Sequence, residues 1–209
     1  KPSAFAPAQV AISMASCAGT AVASFHAAFA SHAVVDSWSG SYGHQSRFDD
    51  CIVIDGIDVS EWQTNVDYNA VKRHGIDYVF IRVGTTATDI FKSVKDTQFE
   101  THYAAAKEAD LMVGVYYYST ATTAEEAETE AANVISWLDG RELHLPVVLD
   151  YEDSERVNPS KVNMTANALK FMEYIEAHSD YEAMFYSYRA LMDIYWAGSV
   201  FQMQNIDNK

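Results

Sequence analysis

Cysteine is nearly absent from this chain. Its 209 residues include two, Cys17 and Cys51. Two cannot form a disulfide framework, and their spacing fits no zinc motif. Cys51 reads as a lone thiol with no chemical task. Basic residues are also scarce, with 14 Lys and Arg against 29 Asp and Glu, for a formal net charge of -15. So acidic a protein is poorly suited to clamp phosphate backbones, and no nucleic-acid partner is expected. The seven histidines are scattered, without a His-x-His or His-x-x-x-His pair, so neither a metal site nor a metal cofactor is expected. No Gly-x-Gly-x-x-Gly turn follows the first strand-like run, which weakens a dinucleotide-binding reading. No apolar stretch beyond the N-terminal segment is long enough to span a bilayer.

What is present describes a globular domain behind a leader. Hydrophobic residues make up 49% of the chain and aromatics 13%, enough to build a core. Residues 4–35 carry no Asp, Glu, Lys or Arg and are rich in Ala, Ser and Val. Lys1 stands ahead of them, and Ala28-Phe29-Ala30 offers a small-x-small cleavage pattern. Together these features read as a secretory signal segment over residues 1–33 and imply an exported protein, extracellular or wall-associated. Residues 34–53 are mostly polar, with two glycines, and read as a linker. The folded domain is expected over 54–209.

Within that domain strand and helix patterns alternate. Strand-like runs occupy residues 52–60, 78–83, 111–119, 145–151 and 182–188. Helical patterns fill 66–74, 97–109, 123–138, 160–178 and 190–197. Gly75 supplies a helix stop, and Thr123 with Glu126 forms a capping-box pattern. This order predicts an α/β fold with a parallel sheet, either an open doubly wound sheet or a closed barrel.

In both architectures the chemistry gathers at the C-terminal ends of the strands. Here those ends are acidic and aromatic: Asp58-Val59-Ser60, Tyr116-Tyr117-Tyr118 and Asp150-Tyr151-Glu152-Asp153. Asp150 and Glu152 stand two apart, so an extended backbone points both to the same face. Two carboxylates that close resist double ionisation, which raises one pKa and equips that group as a general acid. Glycoside hydrolysis requires such an acid plus a second negative group for the charge developing at the sugar carbon. Alone, an Asp-x-Glu is more often a solvated loop pair; its position after Pro146-Val147-Val148-Leu149 favours a site. Asp153 and Glu155 read as a solvated loop face, and Arg82 either as the partner of an inner carboxylate or as half of a surface salt bridge, in both cases left outside the site.

Three segments carry a family resemblance: Gly56-Ile57-Asp58-Val59-Ser60 with Trp62-Gln63, Gly114-Val115-Tyr116-Tyr117-Tyr118-Ser119, and Pro146 to Glu152. In this order and spacing the chain resembles the muramidases of glycoside hydrolase family 25, over roughly residues 54–190. The resemblance implies an irregular (β/α) TIM-like barrel that hydrolyses the β-1,4 bond between N-acetylmuramic acid and N-acetylglucosamine. It implies Glu152 as general acid, Asp150 as its charge-stabilising partner and Asp58 at the floor of the site. Tyr116, Tyr118, Trp62 and Gln63 would line the sugar groove, with core packing the competing role for Tyr116 and Trp62. No cofactor is expected; the partner would be the peptidoglycan glycan strand, met by a monomer. The family barrel has eight strands and only five are recognisable here, so the barrel is expected to be incomplete at its C-terminus. The alternative is a non-catalytic wall-binding protein on the same fold. A chitinase-type site is disfavoured, because Pro146 and Val148 stand where its acidic run would need carboxylates.

Overall fold

The computed structural model describes residues 10–17, 20–27, 52–87, 92–153 and 163–187. The chain divides into two compact units, Lys1–Ile81 with Glu100–Val113, and Arg82–Phe99 with Gly114–Lys209.

The first unit contains β1 (Val10–Cys17), β2 (Thr20–Ala27), β3 (Ile52–Val59), α1 (Tyr68–Arg73), the start of β4 (Ile76–Ala87) and nearly all of α2 (Phe99–Glu108). Its strand order is β2-β1-β3-β4. β1 pairs antiparallel with β2 and with β3, and β3 runs parallel to β4. The segment read as a leader thus supplies two strands not foreseen from its composition, and β3 starts two residues before the expected domain boundary. Gly56 lies opposite Tyr78, and a β-carbon there would run into the Tyr78 ring. The glycine before Ile57-Asp58 therefore makes room for an aromatic on the neighbouring strand. Val59, Tyr78, Val79, Phe80 and Ile81 are buried completely or nearly so. Helix α1 is capped by Asp67, whose side chain accepts from the Ala70 amide at 2.9 Å, and Lys72 and Arg73 sit at its negative end. Gly75 follows at φ +83°, the left-handed stop expected there.

The second unit contains the rest of β4, β5 (Lys92–Lys95), most of β6 (Met112–Tyr118), α3 (Ala124–Leu138), β7 (Val147–Asp150), α4 (Met164–His178) and β8 (Ala183–Tyr186). Its strand order is β4-β6-β7-β8, with β5 antiparallel on β4. β6, β7 and β8 are parallel, each crossover carrying a helix, and α3 packs against α4. This is the mostly parallel α/β sheet read from the sequence. All five expected strands are present, and β5 is an addition: four residues with a lysine at each end are too short and polar to announce themselves. The capping box at α3 forms as written, with Thr123 accepting from the Glu126 amide and Glu126 from the Thr123 amide. α4 starts at Met164 behind Asn163. The helix expected over 190–197 lies outside the described residues.

Candidate active site

Side-chain alternation divides the β6–β7 pair into two faces. Tyr117 turns toward the helices: its ring stacks on Trp137 of α3 at 6.4 Å and meets Phe171 of α4 at 6.1 Å. Leu149 is its register partner and shares that face. Tyr151 also points there, because its hydroxyl is held by Asn167 of α4 at 3.2 Å and donates to the Ala121 carbonyl. The backbone remains extended past β7, with the Tyr151 amide donating to the Tyr186 carbonyl at 3.0 Å. Asp150, one position before Tyr151 on β7, consequently faces away from the helices, and alternation continued past the strand would carry Glu152 to the same side.

Register extends that second face. Tyr118 pairs with Asp150 across β6 and β7, and Tyr116 with Val148. Tyr186 pairs with Asp150 from β8. The face therefore carries Tyr116, Tyr118, Asp150, Glu152 and Tyr186. The three tyrosines and Glu152 are partly exposed, whereas Asp150 is buried. Tyr186 did not emerge from the sequence; register against Asp150 is what singles it out, and a strand alignment of residues 182–188 with 147–151 would have found it.

Glu152 has its pKa raised above the ordinary 4.5, first by burial and then by the negative charge of Asp153. The raising neighbour expected from the sequence was Asp150. Asp153, expected to be solvated, is buried instead. The adjacent acid therefore helps keep a proton on Glu152. Arg82 is likewise no surface group: it forms a buried ion pair with Asp96 at 2.7 Å.

Asp58, Trp62 and Gln63 belong to the first unit. Asp58 is opposite Phe80 in the β3–β4 register and is partly exposed, while its neighbours Ile57 and Val59 are buried. After β3 the chain turns, with the Gln63 amide donating to the Ser60 carbonyl at 3.0 Å. The Gln63 side-chain oxygen accepts from the Ser60 amide at 2.8 Å, so that side chain braces the turn and keeps its NH2 as a donor. Buried His102 supports the same turn, bonding the Ser60 carbonyl at 3.1 Å and the Tyr68 hydroxyl at 2.7 Å. Trp62 is 63% exposed, which removes the core-packing role for its indole. Among the described residues no group of three or more His, Cys, Asp or Glu could hold a metal ion, and no helix is long and apolar enough to cross a membrane.

Comparison with known proteins gives the family. Residues 57–205, well over half the chain, match the model of the glycosyl hydrolases family 25. The chain belongs to that family. It is 30% identical over 122 residues to the autolytic lysozyme of Clostridium acetobutylicum, covering 57% of this chain and 34% of the relative. It is 29% identical over 174 residues to the N,O-diacetylmuramidase of Arthroderma benhamiae, covering 81% of this chain and 61% of the relative. A family 25 glycosyl hydrolase structure from Bacillus anthracis superposes with a TM-score of 0.55 at 21% identity, over 76% of this chain and 70% of that one. The chain thus spans about a third of the length of the clostridial relative.

Proposed function

We propose that this chain is a peptidoglycan hydrolase that cleaves the β-1,4 bond between N-acetylmuramic acid and N-acetylglucosamine. The observation that carries the reading is Tyr151, pinned to α4 between two acids that alternation turns to the opposite face. Family membership supplies the reaction class. In this reading Glu152, kept protonated by burial and by Asp153, gives its proton to the glycosidic oxygen as the carbon–oxygen bond breaks. Asp150 stabilises the positive charge that develops at the sugar carbon, with help from the substrate's own N-acetyl group. Water then adds to that carbon and its proton restores the acid. Asp58 takes the part of a third carboxylate that the family resemblance implies. Tyr116 and Tyr118 stack on or hydrogen-bond the sugars, the exposed Trp62 indole offers a further platform, and the Gln63 NH2 group a donor.

The reading extends to an irregular (β/α) barrel of the TIM type acting as a monomer. It includes export through residues 1–33, since the substrate lies outside the membrane, with residues 34–53 as linker to a catalytic domain over 54–209. Its supports are the alternation of parallel strands with helices and the charge-free N-terminal stretch.

The test is incubation of the purified chain with bacterial wall, scoring new reducing ends and identifying the exposed sugar. Muramic acid ends are expected, and Glu152→Gln should lower their release ~100-fold or more while the melting temperature stays near wild type. Wall binding without any new reducing ends would overturn the reading in favour of a non-catalytic binding protein.

A further inference from the structure

Behind the tyrosine that separates the two acids lies a carboxyl that the proposed chemistry does not use. Glu130 sits in the middle of α3, only 3% exposed. Its Oε1 accepts from the Thr86 hydroxyl of β4 at 2.6 Å and its Oε2 from the Ser119 hydroxyl at 2.5 Å. The Thr120 amide also bonds it. Glu130 therefore grips the short loop of residues 119–121 that leaves β6.

That loop touches the acid segment on both sides. The Ser119 amide donates to the Asp150 carbonyl at 2.8 Å. The Ser119 hydroxyl accepts from the Ala121 amide at 3.2 Å. The Ala121 carbonyl in turn receives the Tyr151 hydroxyl and the Asn167 amide group. Asp150 is thus held through its own backbone, and Glu152 through the side chain just before it. These two links pass through a loop whose shape depends on Glu130, and they add to the bonds that Asn167 and Tyr186 make to Tyr151.

We propose that Glu130 is a positioning residue that sets the height and direction of Asp150 and Glu152 by fixing the 119–121 loop. This rests on the hydrolase reading only where it invokes turnover. Burial pushes the Glu130 carboxyl up to about 7 from 4.5, against the lowering effect of the bonds from Ser119, Thr86 and Thr120. The charge of Glu126, on its own helix, pushes the same way, and Tyr117 of β6 and Tyr151 beyond β7 face it as neutral phenols raised above their ordinary value by burial. The Thr86 hydroxyl that donates to Oε1 lies 2.8 Å from the Tyr117 hydroxyl, which donates to Ser93 at 2.9 Å. Oε2 meanwhile accepts from Ser119. Glutamine keeps the size and an accepting oxygen for Ser119; alanine removes both.

The experiment compares wild type, Glu130→Ala, Glu130→Gln and Ser119→Ala in the full chain, with two readouts. The first is kcat and KM on bacterial wall, measured well below each melting temperature. The second is the carbon-13 titration of the Glu152 carboxyl. Glu130→Ala is expected to lower kcat ~10-fold to 100-fold with KM little changed, as misplaced groups do. It should also move the Glu152 titration, with Glu130→Gln restoring both at acid and neutral pH. Ser119→Ala, a smaller excision, should act in the same direction and covers the case in which Glu130→Ala does not fold. Unchanged kcat and an unchanged Glu152 titration in the folded variants would overturn the proposal. An inactive wild type whose Glu152 titration still moves in Glu130→Ala would sink the hydrolase reading and leave the positioning role standing.

Discussion

The two faces of the β6–β7 pair are built to opposite rules. On the helix side Tyr117, Leu149 and Tyr151 are completely or almost completely buried, and both tyrosine hydroxyls are hydrogen-bonded. On the other side Tyr116, Tyr118 and Glu152 keep part of their surface accessible, and the acids stand two residues apart. The same residue types meet different fates one position apart along the backbone. Tyrosines on the first face are sealed inside the fold, while those on the second keep part of their surface accessible. In the proposed function the helix face supplies rigidity and the opposite face supplies chemistry, so substitutions on the two should separate stability from activity.

The largest separation is expected between Asp150 and Tyr151. Asp150→Asn keeps size and removes charge, and should lower turnover on bacterial wall by roughly 100-fold with the melting temperature unchanged or raised. Tyr151→Phe should do the reverse. It deletes the hydroxyl shared by Ala121 and Asn167 and should cost about 1–3 kcal/mol, read by urea unfolding, with a smaller change in turnover than Asp150→Asn. Equal loss of activity in both variants at a temperature where both are folded would erase the distinction between the faces.

Protonation sharpens the comparison on each side. On the helix face Glu130 is raised to about 7 from 4.5, so the folded state keeps a proton that the unfolded chain releases. Its contribution to stability is complete below pH 4.5 and is lost as pH rises toward 7 and past it. Melting curves across that window should show the decline, and Glu130→Gln should flatten it. On the other face Glu152 is raised by burial and by Asp153. As the proposed general acid it works while protonated, so activity should fall as pH rises through its pKa. Asp153→Asn removes one raising charge and should move that falling limb to lower pH. A limb that moves to higher pH, or stays in place, would remove Asp153 from the account.

The sequence revealed the elements that repeat a strong pattern. Five apolar runs, the Gly75 stop and the Thr123 box all stand as local chemistry requires, because each depends on residues within a few positions. The Asp-x-Glu spacing was legible for the same reason. Glu130 was not: in Ala-Glu-Glu-Ala-Glu-Thr-Glu it looks like one more solvated helix acid, and only packing against β4 and the 119–121 loop distinguishes it. Tyr186 and the burial of Asp153 were hidden likewise, since register and depth arise between distant segments. Lys92–Lys95 was missed because a short edge hairpin has almost no hydrophobic pattern.

The smallest effects lie at the margins of the comparison. Tyr118→Phe removes a hydroxyl from the ligand-facing side. It should raise KM about 3-fold to 10-fold, the equivalent of one hydrogen bond to substrate, without altering the melting curve. Thr123→Ala breaks the box at the start of α3, five residues after Tyr118, and touches no proposed site side chain. It should cost about 1 kcal/mol of stability and leave kcat and KM as they are. α3 also carries Glu130, so this variant asks whether a modest weakening of the helix end reaches the acids. An unchanged kcat would localise the coupling to the Glu130 side chain and its loop. A kcat loss as large as that expected for Glu130→Ala would mean that the whole helix, rather than its one buried carboxyl, holds Asp150 and Glu152 in place.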